Sequence, residues 1–192
     1  FKSQWNPEPM AHIVPMNWNN WRPGEIVEVW VNTNQQSAEL FLNGKSLGRK
    51  SFDVKTTTYG KKYYETSEPT KDNKNNTSAV NTGGYVSPNG EYGKLHLTWY
   101  VPYEPGVLEV KAYPDPTSDV VTATDVIKTA GQPYTVRMKP DKQVILADGR
   151  SLCYIECDIV DKDGNMVPDA KNLVKFDVVG GAIVGVDNGQ QE

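Results

Sequence analysis

The sequence predicts an all-β chain built as two consecutive β-sandwich modules, the second of them truncated. Three observations carry that prediction. Apolar and polar residues alternate at period two in several short runs, most clearly Val27, Val29 and Val31 and again Leu40 and Leu42. Turn signals separate those runs, above all Asn43-Gly44, the dipeptide that a tight type I′ hairpin needs. After Gln132-Pro133 the same kind of pattern starts again, without a convincing helix anywhere in the chain.

Composition bounds the answer further. A length of 192 residues allows one ordinary domain or two small ones. Hydrophobic residues at 38% and aromatics at 10% suffice for packed cores but are lean for one large globule. Lys plus Arg is 20 against Asp plus Glu at 24, a net charge of −4, which leaves no electrostatic footprint for a nucleic-acid partner. No apolar run reaches membrane-spanning length, and nothing at Phe1 resembles a signal peptide. The chain opens on FKSQW with no initiator Met, so it reads as a piece of a longer protein.

Residues 1–25 form a lead-in unlike the rest. Pro7, Pro9, Pro15 and Pro23 exclude regular helix and central strand, which predicts an extended segment running over a surface. Trp5, Trp18 and Trp21 would pin it there by burying their rings, and stacking on carbohydrate is the sharper alternative for Trp18 or Trp21.

Residues 26–131 are read as the first sandwich. In its first run Val27, Val29 and Val31 share a face opposite Glu28 and Trp30. In its second, Leu40 and Leu42 lie opposite Glu39, Phe41 and Asn43, and Leu47 resumes the pattern past the turn. A polar excursion over 55–94 follows, where no strand pattern holds for long. Tyr59, Tyr63, Tyr64, Tyr85 and Tyr92 punctuate it, and Asn75 to Ser78 holds overlapping glycosylation sequons. Loops of that length usually carry function or flexibility. Strands resume with Leu95, Leu97, Trp99 and Val101 on one face, then VLEVKAY, then Val120 to Lys128.

Residues 132–192 are read as a second immunoglobulin-like module. Its runs are YTVRM, QVILADG, Leu152 to Val160, LVKFDVV and AIVGV, with Val174, Phe176 and Val178 facing a core. About sixty residues fall short of the roughly 100 such a sandwich uses. An incomplete module with an unprotected edge is therefore expected. Asp161 to Asn165 reads as a hairpin turn, because Gly164 is misplaced for a calcium loop. Cys153 and Cys157 would lie roughly 13 Å apart in a strand, too far to form a disulfide together. They are read as small buried hydrophobes, not as metal ligands.

Chemistry is harder to find. His12 and His96 have no metal spacing, no nucleophile elbow is present, and no Gly-rich loop opens a helix. The glutamates are scattered over solvent faces and loops rather than paired. No catalytic residue, metal site or cofactor is assigned.

Particular residues carry a resemblance that periodicity cannot. FKSQW, HIVPMNW at His12 to Trp18, AELFLNGKSLG at Ala38 to Gly48 and WYVPYEPGVLEVKAY at Trp99 to Tyr113 resemble the C-terminal region of glycoside hydrolase family 2 enzymes. So do TAGQP at Thr129 to Pro133, ADGRSLCYIECDIVDKDGNMVP at Ala147 to Pro168, and the terminal GVDNGQQE. The likeness is to β-galactosidases of the large bacterial multi-domain type. It implies two immunoglobulin-like or fibronectin-III-like modules, a bacterial secreted, cell-surface or periplasmic setting, and FKSQW as the tail of a barrel helix. It also implies a retaining parent enzyme whose two catalytic glutamates lie at barrel strand ends, none of them matched here. Where many relatives have PHWNW this chain has Pro15-Met16-Asn17-Trp18, a departure that weakens any ligand role for the segment.

The leading expectation is a non-catalytic region that braces or spaces the catalytic barrel of the same polypeptide. The alternative is a carbohydrate-binding module for galactose-containing glycans, using Trp18, Trp21, Trp30, Phe41 or the excursion tyrosines. Cell-surface adhesion is a third class, which an exposed apolar patch would suggest.

Overall fold

A computed structural model describes residues 2–69 and 92–188. The chain divides into two compact units, Phe1–Gly131 and Gln132–Glu192.

The first unit is a β-sandwich of a three-stranded and a four-stranded antiparallel sheet. One sheet has the order β1-β2-β7, from Ala11–Val14, Ile26–Thr33 and Leu97–Pro102. The other has the order β4-β3-β8-β9, from Lys45–Ser51, Ser37–Leu42, Val107–Tyr113 and Ala123–Lys128. The two alternating runs that predict the fold lie in opposite sheets, joined through Asn34 to Gln36. Val27, Val29 and Val31 of β2 with Leu97, Trp99 and Val101 of β7 meet Leu40 and Leu42 of β3 and Leu108 and Val110 of β8. Each such side chain removed from water contributes roughly 1.5–3 kcal/mol, so this layer supplies most of the driving force.

Asn43-Gly44 closes the β3–β4 hairpin with Leu42 opposite Lys45. Both turn residues have positive φ, 51° and 78°, as a type I′ turn requires. The register then slips between Glu39 and Phe41, a bulge at which Gly48 takes a φ of 94°.

The lead-in is more regular than its prolines suggest. Between Pro9 and Pro15 the proline-free window Ala11–Val14 pairs with β2, Ile13 opposite Val31, and fills the edge position where proline neighbours are tolerated. Lys2–Trp5 makes one helical turn, α1. The excursion likewise begins in order: β5 (Asp53–Thr56) and β6 (Lys62–Glu65) form an antiparallel hairpin. Tyr64 there stacks on buried Phe52, ring centroids 6.1 Å apart and 9° from parallel. The pattern missed this hairpin because its residues are largely polar and exposed on both faces. Tyr85 and the sequons at Asn75 to Ser78 lie outside the described residues. Leu95 also departs from expectation: β7 starts at Leu97, and Leu95 is exposed.

The second unit contains one two-stranded sheet among the described residues, β10 (Thr135–Pro140) against β11 (Ile155–Val160), with Arg137 opposite Asp158. The runs QVILADG, LVKFDVV and AIVGV take no strand here, and Val174, Phe176 and Val178 do not face a core. Leu173 and Val179 are 84% and 96% exposed. Alternation makes a strand only where a neighbour supplies the ladder, and among the described residues none does. Cys153 and Cys157 are free and half-buried rather than enclosed, and Cys153 precedes the strand. At the turn after β11, Asp161 Oδ1 accepts from Asp163 N (2.9 Å) and Asn165 N (2.8 Å), so the carboxylate caps the loop's own backbone. No described helix is long and apolar enough to cross a membrane.

Candidate functional site

Three tryptophans were the candidate ligand contacts, and the structure gives them different environments. Trp18 is fully buried. Its Nε1–H donates to Glu104 O at 2.9 Å, and its own carbonyl accepts from Thr129 Oγ1 at 2.7 Å and Tyr103 Oη at 3.3 Å. Trp21 and Tyr103 pack around it with ring centroids 5.3 and 5.2 Å away. Next in sequence, Asn19 makes a reciprocal pair with Ala130: Nδ2 donates to Ala130 O and Oδ1 accepts from Ala130 N, both at 3.0 Å. Trp18 therefore has no ring face to offer a sugar. It fixes the lead-in to the ends of β7 and β9.

Trp30 lies on the outer face of β2, opposite Thr98 of β7, and is 40% exposed. His96 stacks on it at 4.6 Å and 25°. Burial, then the nearby Lys94 ammonium, hold the His96 pKa below the ordinary 6.5, so the imidazole is neutral at pH 7. Its Nε2 is buried without a hydrogen-bond partner. Exposed Tyr100 follows along β7, its hydroxyl donating to Glu28 Oε1 at 3.4 Å. Lys94 is held beneath this face by Glu68 Oε2 at 3.5 Å and Thr98 Oγ1 at 3.4 Å. The Trp30–His96 pair was not legible as a unit, since sixty-six positions separate the two and only the β2–β7 register unites them.

Asp115, Asp141, Asp148 and Asp158 each have a pKa displaced downward. Thr117 hydrogen bonds lower Asp115, the Tyr154 amide lowers Asp141, the Arg150 amide lowers Asp148, and the Arg137 guanidinium lowers Asp158. A general acid for glycoside cleavage needs the opposite shift. His12 Nδ1 meets Asp125 Oδ2 at 3.2 Å, but that oxygen also accepts from Ile13 N at 2.8 Å, so the pair secures the edge strand β1. Among the described residues no cluster of His, Cys, Asp and Glu could hold a metal.

The fold and these groups define a β-sandwich module whose best-built polar network joins its own ends rather than surrounding a substrate. Comparison with known proteins places it. The model for glycoside hydrolase family 2 C-terminal domain 5 matches residues 136–192, and that for a domain of unknown function (DUF4982) matches residues 24–120. The chain belongs to the C-terminal region of the glycoside hydrolase family 2 proteins. A β-galactosidase of Bacteroides ovatus is 36% identical over 98% of this chain and 17% of its own length. A putative β-glucuronidase of Formosa agariphila is 26% identical over 94% of this chain and 14% of its own. Among solved structures, a β-glycosidase from Bacteroides vulgatus superposes with a TM-score of 0.59 at 26% identity, over 87% of this chain and 16% of that one. The chain thus spans less than a fifth of the length of each of these three relatives.

Proposed function

We propose that this chain is the non-catalytic C-terminal region of a β-galactosidase-like hydrolase, and that its task is to hold the lead-in rigidly against the sandwich so that the catalytic barrel of the same polypeptide is braced. The observation that carries this reading is the Trp18–Asn19 anchor. A buried indole, a threonine hydroxyl and a reciprocal amide pair tie residues 18–19 to residues 104 and 129–130. A segment tied in this way transmits position instead of acting as a loose tether. The B. ovatus relative favours a β-galactoside as the parent's substrate, while the F. agariphila relative makes a β-glucuronide the runner-up. The export that the family resemblance implies belongs to the same reading.

The test has two arms. The isolated chain is assayed on chromogenic β-galactoside and β-glucuronide, and turnover of either overturns the accessory assignment. In the parent enzyme, Trp18→Ala should lower the melting temperature of the catalytic barrel while leaving kcat/KM per folded molecule close to wild type. A barrel that melts at an unchanged temperature would remove the bracing role.

A further inference from the structure

A hollow of about 410 Å³ lies between the lead-in and the β5–β6 hairpin, within the size range of small-ligand sites. Its walls come from three places in the first unit: Gln4 and Asn6 of the lead-in, Gln36 from the β2–β3 connection, and Lys62, Tyr63 and Tyr64 of β6.

The walls are held by hydrogen bonds of Asn34 and of the Gln36 backbone and by the packing of the Tyr64 ring. Asn34 Nδ2 donates to Asn6 O at 2.9 Å and Glu8 O at 2.7 Å, while Asn34 Oδ1 accepts from Met10 N at 2.8 Å. That one side chain fixes the lead-in wall. Gln36 O accepts from Phe52 N at 2.9 Å, and the Phe52–Tyr64 stack fixes the opposite wall. By contrast, the Gln4 amide, Asn6 Nδ2, Gln36 Oε1, the Tyr63 and Tyr64 hydroxyls and Lys62 Nζ have no partner among the described residues. The frame is bonded within the protein, and the lining groups face the open hollow.

The lining selects a ligand class. Carboxamides and phenols both donate and accept, as a ring of vicinal hydroxyls requires, and tyrosine rings suit the C–H face of a pyranose. Val54 is the single aliphatic side chain in the wall, too little for a lipid. No carboxylate lines the hollow and Lys62 does, which disfavours a metal cation. One ammonium in a chain of net charge −4 does not recruit nucleic acid. We infer that this hollow binds a saccharide residue, with Lys62 set to donate to a sugar hydroxyl oxygen or a uronate carboxylate. The inference stands on the hollow itself and does not depend on what the parent enzyme hydrolyses.

The experiment titrates the full 192-residue chain with a galactose oligosaccharide and with a glucuronate-containing one, by calorimetry and by amide chemical-shift mapping. Saturable binding is expected for at least one, with shifts centred on Asn6, Gln36 and Tyr63. Gln4→Ala and Lys62→Ala alter exposed side chains and should leave the melting temperature unchanged. Together they should weaken the bound sugar by about tenfold, with the Lys62 share larger for the uronate if its ammonium meets a carboxylate. Absence of saturable binding to both sugars overturns the inference. So does wild-type affinity in the folded double variant, or shifts that map to Trp30 and Tyr100 instead. Because no hydrolysis is read, failure here leaves the accessory assignment standing, and turnover in the chromogenic assay leaves the sugar site standing.

Discussion

The Asn43 carboxamide occupies the space that a β-carbon on Gly106 would take. Its Oδ1 accepts from Val107 N at 2.8 Å, and its Nδ2 donates to Glu104 Oε1 at 3.1 Å and Pro105 O at 3.2 Å. The β3–β4 turn thereby supports the connection between β7 and β8. Gly106 has a φ of 144°, and a β-carbon there would run into the Asn43 amide. Gly106→Ala should destabilise the chain by about 2–3 kcal/mol in urea unfolding. Asn43→Gly keeps the positive φ and should cost about 1 kcal/mol less than Asn43→Ala, which loses both the bonds and the backbone fit. Equal losses for these two would show that the turn's φ is unimportant.

Trp18→Ala empties a fully buried site and should cost about 3–5 kcal/mol. Trp18→Phe keeps most of the apolar volume but leaves Glu104 O without its donor, at about 1–2 kcal/mol. Denaturant midpoints at constant slope distinguish the two, and a Trp18→Phe variant as damaged as Trp18→Ala would mean packing alone is not the anchor.

Acid should loosen the second unit through Asp158. Arg137 Nη2 meets its Oδ2 at 2.8 Å and Lys139 Nζ meets it at 3.2 Å, holding the folded-state pKa below 3.8. A depressed carboxyl stabilises fully above its unfolded pKa and loses that contribution as pH falls through the folded one. The protection factors of the β10 amides, measured against unstructured-peptide rates at the same pH, should therefore fall below about pH 4 in wild type. Asp158→Asn should exchange faster already at pH 7, and its difference from wild type should shrink on acidification. A difference that grows in acid would reverse the sign of this argument.

His96 should titrate below 6.5 by NMR, because burial against Trp30 disfavours its charged form. Trp30→Ala opens the imidazole to solvent and should move its pKa up toward 6.5. In wild type the unfolded chain takes up the proton first as pH drops through 6.5, so this group also destabilises the sandwich on acidification. An unmoved pKa in Trp30→Ala would assign the shift to Lys94 instead.

The first sandwich was legible because its strands are half-buried: Val27, Val29 and Val31 could alternate only if one face met a core. The Asn43-Gly44 turn was legible for its backbone demand. What stayed hidden depends on pairing over distance. Ala11–Val14 looks like loop until β2 supplies its hydrogen bonds, and β5–β6 lacks an apolar face to announce it. The second unit errs the other way, with alternating runs at Leu173 to Val178 that find no neighbour. The tryptophans show the same limit for sites. Composition marked Trp18, Trp21 and Trp30 alike, and only the fold separates a buried anchor from a surface ring.

The reciprocal amide pair between Asn19 and Ala130 has a mechanical consequence. The chain is clipped to itself at one corner of the first unit, where the segment that follows β1 meets the segment that follows β9. Tension drawn across residues 19 and 130 is borne by that clip and by Thr129 on Trp18, so it does not load the ladders of the strands between them. The sandwich then behaves as a slack loop behind a clasp. Its length can change without altering the distance between Asn19 and Ala130.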